Sequence, residues 1–146
     1  MVAAVPALAS AQQEPVSIEE RARGAARVVI ATVAETTARY EPNEFGDQII
    51  VTYARLAVDE AVKGPGDPVT LAIEGGTVDG ITMRVSSLPS LSRGERAVFF
   101  LTPGRNGEFL PHLRGQGILK LDADDRVRGS SLKLDDIRRM AGSGAR

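Results

Sequence analysis

The residue types that could carry out a reaction are sparse in this chain. Its one histidine, His112, and the serines Ser86, Ser87, Ser90 and Ser92 are the components of a base–nucleophile pair. Such a pair needs its hydroxyl presented on a sharp turn, as in G-x-S-x-G, and that context is missing. His112 sits beside Pro111 on a predicted strand, where a lone imidazole is more often a packing or surface residue than a base. Asp59 and Glu60 could serve as paired carboxylates, but neighbours on a strand point to opposite faces and cannot flank one bond. No catalytic residue is assigned on these grounds.

Ion and phosphate chemistry is weighed in the same way. The stretch IEGGTVDGITMRV brings Gly75, Gly76 and Gly80 close together. A phosphate loop would place Lys-Ser or Lys-Thr after its last glycine and then a helix, whereas Ile81-Thr82-Met83 reads as a strand. These glycines are therefore expected to be structural, supplying positive φ or close backbone approach in a hairpin or bulged turn. Asp122, Asp124 and Asp125 resemble a calcium loop faintly, but the glycine and terminal glutamate of that loop are absent at the required offsets. A solvated strand-turn-strand is expected there, with Asp124-Asp125 at its tip. No metal site and no cofactor is assigned.

Composition narrows the partners. Eighteen basic residues against nineteen acidic ones leave a net charge of -1, so no global field draws in a polyanion. Fifteen of the basic residues are arginine, scattered along the chain. Four Phe and two Tyr are too few to build stacking platforms in a basic groove, and no nucleic-acid partner is expected. The absence of cysteine removes disulfides, thiolate nucleophiles and cysteine-ligated metals. No apolar run approaches the roughly 20 residues of a helical membrane span. Ala9-Ser10-Ala11, followed by Gln12, Gln13 and Glu14, has the A-x-A form of a signal-peptidase site, so export to the periplasm or the medium is expected. The alternative for residues 1–15 is a disordered alanine-rich leader.

The elements that must position any site are mostly strands. Ser17-Ile18-Glu19-Glu20 offers a capping box for a short helix ending at Gly24. The β-branched run from Val28 to Thr37 reads as a strand, and Asp47 to Val62 as a second, long one that alternates with period two. Its length calls for coiling or a bulge. Polar Glu41 to Gly46 is expected to join the two as a hairpin loop, and Lys63-Gly64-Pro65-Gly66-Asp67-Pro68 stops the second. Residues 69–74 and 81–85 read as half-buried strands, Ala97 to Leu101 as a fully buried one, and Phe109 to Leu113 and Ile118 to Leu121 as the last two. Leu134, Ile137 and Met140 fall at helical spacing, with Gly142 as the stop. One domain over residues 16–141, with a frayed tail at 142–146, follows. The outward side of the second strand around Tyr53 and Arg55, joined by Arg84, is the candidate binding face.

Val58-Asp59-Glu60-Ala61-Val62-Lys63-Gly64, a strand, a glycine hairpin, and then Leu91-Ser92-Arg93-Gly94-Glu95-Arg96-Ala97-Val98-Phe99-Phe100-Leu101 form a progression. It resembles the V-x-x-x-x-K-G … L-x-x-G-E-x-Y-L-x-F-L pattern of netrin-like domains, related to the tissue inhibitors of metalloproteases. It also resembles uncharacterised exported bacterial proteins. The resemblance covers about residues 26 to 121 and implies a mainly β chain, a five- to six-stranded OB-like β-barrel with short N- and C-terminal helices. The tissue inhibitors chelate zinc with an N-terminal cysteine, which this chain lacks, so their inhibitory residues do not transfer. The expected function is that of an exported, non-enzymatic binding module whose partner is a protein or envelope component. The alternatives are a modulator of a secreted protease and a hydrolase using His112 with a loop serine.

Overall fold

The computed structural model describes residues 15–144, so the Ala9-Ser10-Ala11 pattern lies outside the described residues. Helix α1 (Ile18–Gly24) starts where the Ser17 hydroxyl accepts from the Glu20 amide at 3.1 Å, satisfying one of the orphan donors of the first turn. Strands β1 (Arg27–Pro42) and β2 (Gln48–Lys63) form a long antiparallel pair. β1 continues past Thr37, its expected end, because the reversal is tight: the Asn43 side chain accepts from the Phe45 and Asp47 amides, each at 2.9 Å. The expected irregularity takes the form of three register shifts, which leave Val62 and Asp59 of β2 and Ala34 of β1 without an opposite residue.

Next come β3 (Val69–Glu74), β4 (Gly76–Val78), β5 (Ile81–Met83), β6 (Arg96–Pro103), β7 (Phe109–Pro111), a 3-10 turn (Arg114–Gly117), β8 (Ile118–Lys120) and helix α2 (Leu134–Gly144). The described residues are mainly β with two short helices. Pairing runs β1-β2-β3-β7-β6, and β6 pairs with β1 again, so the sheet is ring-like, with β8 beside β6. All these pairs are antiparallel except β3 with β7, which meet in parallel at Leu71 and Phe109.

Two apolar clusters explain the sequence pattern. Val29, Ala31, Val33, Ala54, Leu56, Leu71, Ile73, Phe99 and Leu101 fill the inside of the ring. Val28, Ile30, Val98, Phe100, Leu134, Ile137 and Ala141 pack between the outside of β1 and β6 and the two helices. β1 and β6 are thus buried on both faces along their paired stretch, which is why they read as continuous apolar runs. The helices meet β2 at its end, at Glu60 and Lys63, and the earlier part of β2 keeps alternation.

Two expectations are corrected. Residues 69–74 and 81–85 do not pair with each other across the glycines: β5 is shorter and pairs with β4, in a separate two-stranded sheet. The reversal is made by Asp79 and Gly80, both at positive φ (50° and 82°), as a two-residue hairpin turn requires. Gly75 and Gly76 serve close approach instead. The Thr52 hydroxyl donates to the Gly75 carbonyl at 2.7 Å, and a Cβ at Gly76 would overlap that hydroxyl. The second correction concerns α2, which runs through Gly142 to Gly144. Its buried face is Leu134, Ile137 and Ala141, with Met140 only half-buried, and nothing lies near enough to Gly142 to force a stop.

Candidate functional site

The bare outer face of β2 and β3 forms the floor of a groove of about 690 Å³. Ile49, Val51 and Tyr53 of β2 and Ala72 of β3 supply the floor, the β1–β2 turn supplies Phe45, and the β6–β7 loop and β7 supply Arg105, Glu108 and Leu110. Val51 and Ala72 are only 8% and 6% exposed although they point away from the ring interior, so the floor is apolar and largely screened by its walls. Phe45 at 79% and Leu110 at 39% stand exposed on the walls. Tyr53 is fixed between them and its neighbours. Its hydroxyl donates to Glu41 Oε2 at 2.6 Å, Arg39 Nε donates to the same oxygen at 2.7 Å, and the Arg39 guanidinium lies 4.4 Å from the Tyr53 ring centre. The Tyr53 hydrogen bond and Arg39 together hold the Glu41 carboxyl below its ordinary range, while partial burial, helped by Glu41, pushes the Tyr53 phenol up.

A second cavity, of about 700 Å³, lies on the opposite side of the same ribbon. Beyond Thr32, β1 no longer pairs with β6, and the inward-facing residues Thr36, Ala38 and Thr52 look onto the β4–β5 hairpin and the segment from Arg84 to Leu91. Ile73, Val85, Leu88 and Leu91 make an apolar wall, and the hydroxyls of Thr36, Thr77, Thr82, Ser86 and Ser90 line the rest. Ile73, Glu74 and Leu88 border both spaces. Arg114 braces this partition, donating to Ser87 Oγ at 2.8 Å and pairing with Glu74 at 3.4 Å. It and Leu113 both adopt left-handed backbone (φ 55° and 60°), a conformation unfavourable for side chains of their size.

Three sequence candidates are therefore divided. Tyr53 lines the outer groove, and Arg84 lines the inner cavity without an ion-pair partner among the described residues. Arg55 shares the Tyr53 face but lines neither; it pairs with Glu35 at 3.0 Å, both groups exposed. Phe45, Leu110 and Arg105 were not anticipated: Phe45 falls in a polar loop, and an aromatic standing between Pro42 and Gly46 was the available signal.

The remaining candidates serve the fold. The His112 imidazole packs on Gly24, where a Cβ would lie 2.6 Å from Nε2, and no hydrogen bond joins it to a serine among the described residues. Burial, and secondarily the Lys63 ammonium, pull its pKa down. Lys63 itself donates to the carbonyls of Ala22 (3.0 Å) and Ala25 (2.7 Å), closing the C-terminus of α1. Asp59 accepts from Thr32 and Arg96 while Glu60 pairs with Arg138 of α2 at 2.9 Å, so the two carboxylates turn apart as expected. Asp122 accepts from the Asp124 and Arg126 amides, which lower its pKa, inside a turn closed by the Leu121–Val127 bridge. Burial would raise the Glu95 carboxyl, but the Ser92 amide, Lys120 and Arg128 together hold it below its ordinary range. Among the described residues no group of three or more acidic or imidazole side chains is placed to hold a metal, and no helix is long and apolar enough to cross a membrane. Neither a scan of the chain against protein-family models nor a search of curated proteins returns a match.

Proposed function

We propose that this chain is an exported OB-like, netrin-like β-barrel that binds an extended polypeptide in the groove on the outer face of β2 and β3. The observation that carries the reading is the apolar floor of Val51 and Ala72 between exposed Phe45 and Leu110. The pairing circuit through β1, β2, β3, β7 and β6 supports the barrel. OB-folds bind on the face of their second and third strands and on the loops joining strands one to two and four to five. With the β4–β5 hairpin set aside as an insertion, those are the elements that line this groove, and the argument to that extent is one of fold analogy.

The charge of the rim selects the partner. Glu41, Glu44, Glu74 and Glu108 face Arg105 and Arg114, with Arg39 already on Glu41, so the carboxylates outnumber the guanidiniums by one. A nucleic acid needs the reverse balance. A polypeptide that sets an apolar side chain on Val51 and Ala72 and a basic one toward the carboxylates suits it, and a secreted protease or an envelope protein would present such a segment. Panning a random peptide library on the purified chain tests this. Enrichment of aromatic or aliphatic residues beside Lys or Arg is expected, with roughly tenfold weaker binding of a selected peptide to Phe45→Ser and to Leu110→Ser while circular dichroism is unchanged. Absence of enrichment, or binding indifferent to both substitutions, overturns the proposal.

A further inference from the structure

We propose that the inner cavity is a second, separate binding site, for a small carboxylate carried on a short apolar body, with Arg84 holding the carboxylate. Four features of the cavity converge on that chemistry. Arg84 is exposed at its edge with no ion-pair partner among the described residues, and of the arginines in that state (Arg23, Arg84, Arg93, Arg105 and Arg126) it is the one that lines this cavity. The acidic residue of the lining, Glu74, is already paired with Arg114, which leaves Arg84 as the lining charge without a partner among the described residues. A guanidinium offers a planar fork that matches a carboxylate.

Hydroxyl groups flank that cation. Thr77 and Thr82 bond to each other at 2.8 Å, and Thr36, Ser86 and Ser90 have side-chain oxygens that no group on the protein engages among the described residues. They can donate to the oxygens of a head group. Deeper in, Ala38, Ile73, Leu88 and Leu91 form an apolar surface continuous with the ring interior, to which Ile73 and Leu91 also belong. Thr36 is exposed although it points inward, because none of the described residues fills the space in front of it. A volume of about 700 Å³ falls within the range of small-molecule sites. The hairpin that roofs the space is set by Gly75 and Gly76 against Thr52, so the cavity is built by the same close approach that the glycines permit.

Octanoate, octanol and inorganic phosphate are the probes, titrated into the full chain by calorimetry and followed by amide chemical shifts. Octanoate is expected to bind saturably and to perturb the amides of Thr36, Thr82 and Arg84, leaving those of Phe45 and Leu110 still. Arg84→Gln is expected to weaken it by roughly tenfold or more, the loss of one charge-assisted contact, whereas Arg93→Gln, outside the cavity, is expected to bind as the parent chain does. Octanol and phosphate, each keeping one half of the chemistry, are expected to bind at least roughly tenfold more weakly than octanoate. Full octanoate affinity in Arg84→Gln, equal binding of phosphate, or shifts confined to Phe45 and Leu110 would each overturn the proposal. Because the peptide site is read at Phe45 and Leu110, failure here leaves the outer groove to stand or fall by its own test.

Discussion

At the helix-covered end of the ring, cations are spent on main-chain oxygens: Lys63 closes α1, Arg27 reaches the carbonyls of Pro65 and Asp67 at 2.6 and 2.8 Å, and Arg21 reaches those of Gln116 and Val16. At the far end, Arg84 and Arg105 border open space with no protein partner among the described residues. The first end is sealed by apolar side chains from α1 and α2 packed on Val98 and Phe100. The second is roofed by a hairpin of two three-residue strands, whose Ile81 is solvent-exposed. One end of the molecule is closed by packing and the other is left open, and substitutions at the two ends should differ in kind.

The largest effect is expected at the sealed end. Phe100 is fully buried, with the Arg21 guanidinium 5.7 Å from its ring centre, and Phe100→Ala should cost about 3–5 kcal/mol in chemical denaturation. A loss under 1 kcal/mol would show that the helices contribute little to holding this end. At the open end, Gly76→Ala must both accept a φ of 135° and displace the Thr52 hydroxyl. A cost of about 1–3 kcal/mol is expected, together with weaker octanoate binding, since the roof must lift. The double variant Thr52→Ala, Gly76→Ala should recover part of the stability by removing the overlap; no recovery would mean that φ alone carries the cost. The smallest effect is a pH response confined to the sealed end. His112 has a folded pKa below its ordinary 6.5, so its contribution is complete above pH 6.5 and is lost as pH falls through the lowered value. Melting temperatures of the parent chain should therefore fall from about pH 7 to pH 5 more steeply than those of His112→Gln. Parallel curves would remove His112 from the comparison.

Much of this architecture was legible because it is local. Alternation along β2 separates Ile50, Thr52, Ala54 and Leu56 from Tyr53 and Arg55, and the structure keeps that division. The Val28–Val33 run announces burial on both faces, and Lys63-Gly64 and Gly94-Glu95 do mark bonded joints. Ring closure was not legible from the pattern of residues alone, since the parallel meeting of Leu71 with Phe109 has no local period. The site was half legible. Tyr53 stands out as an aromatic on an outward face, but Arg84, expected on the same face, lies on the opposite side of the ribbon, in the lining of the inner cavity. Phe45 was hidden by its setting, because a polar loop was read as punctuation.

The far half of the β1–β2 ribbon is a wall shared by two hollows. Past Val33, which still bonds Gly94 and Glu95, β1 pairs with β2, and β2 stays paired with β3 from Leu56 to Val51. Tyr53 faces one hollow, and Thr52, next to it in the chain, faces the other. A one-residue slip of register along this stretch would therefore exchange the linings of the two hollows.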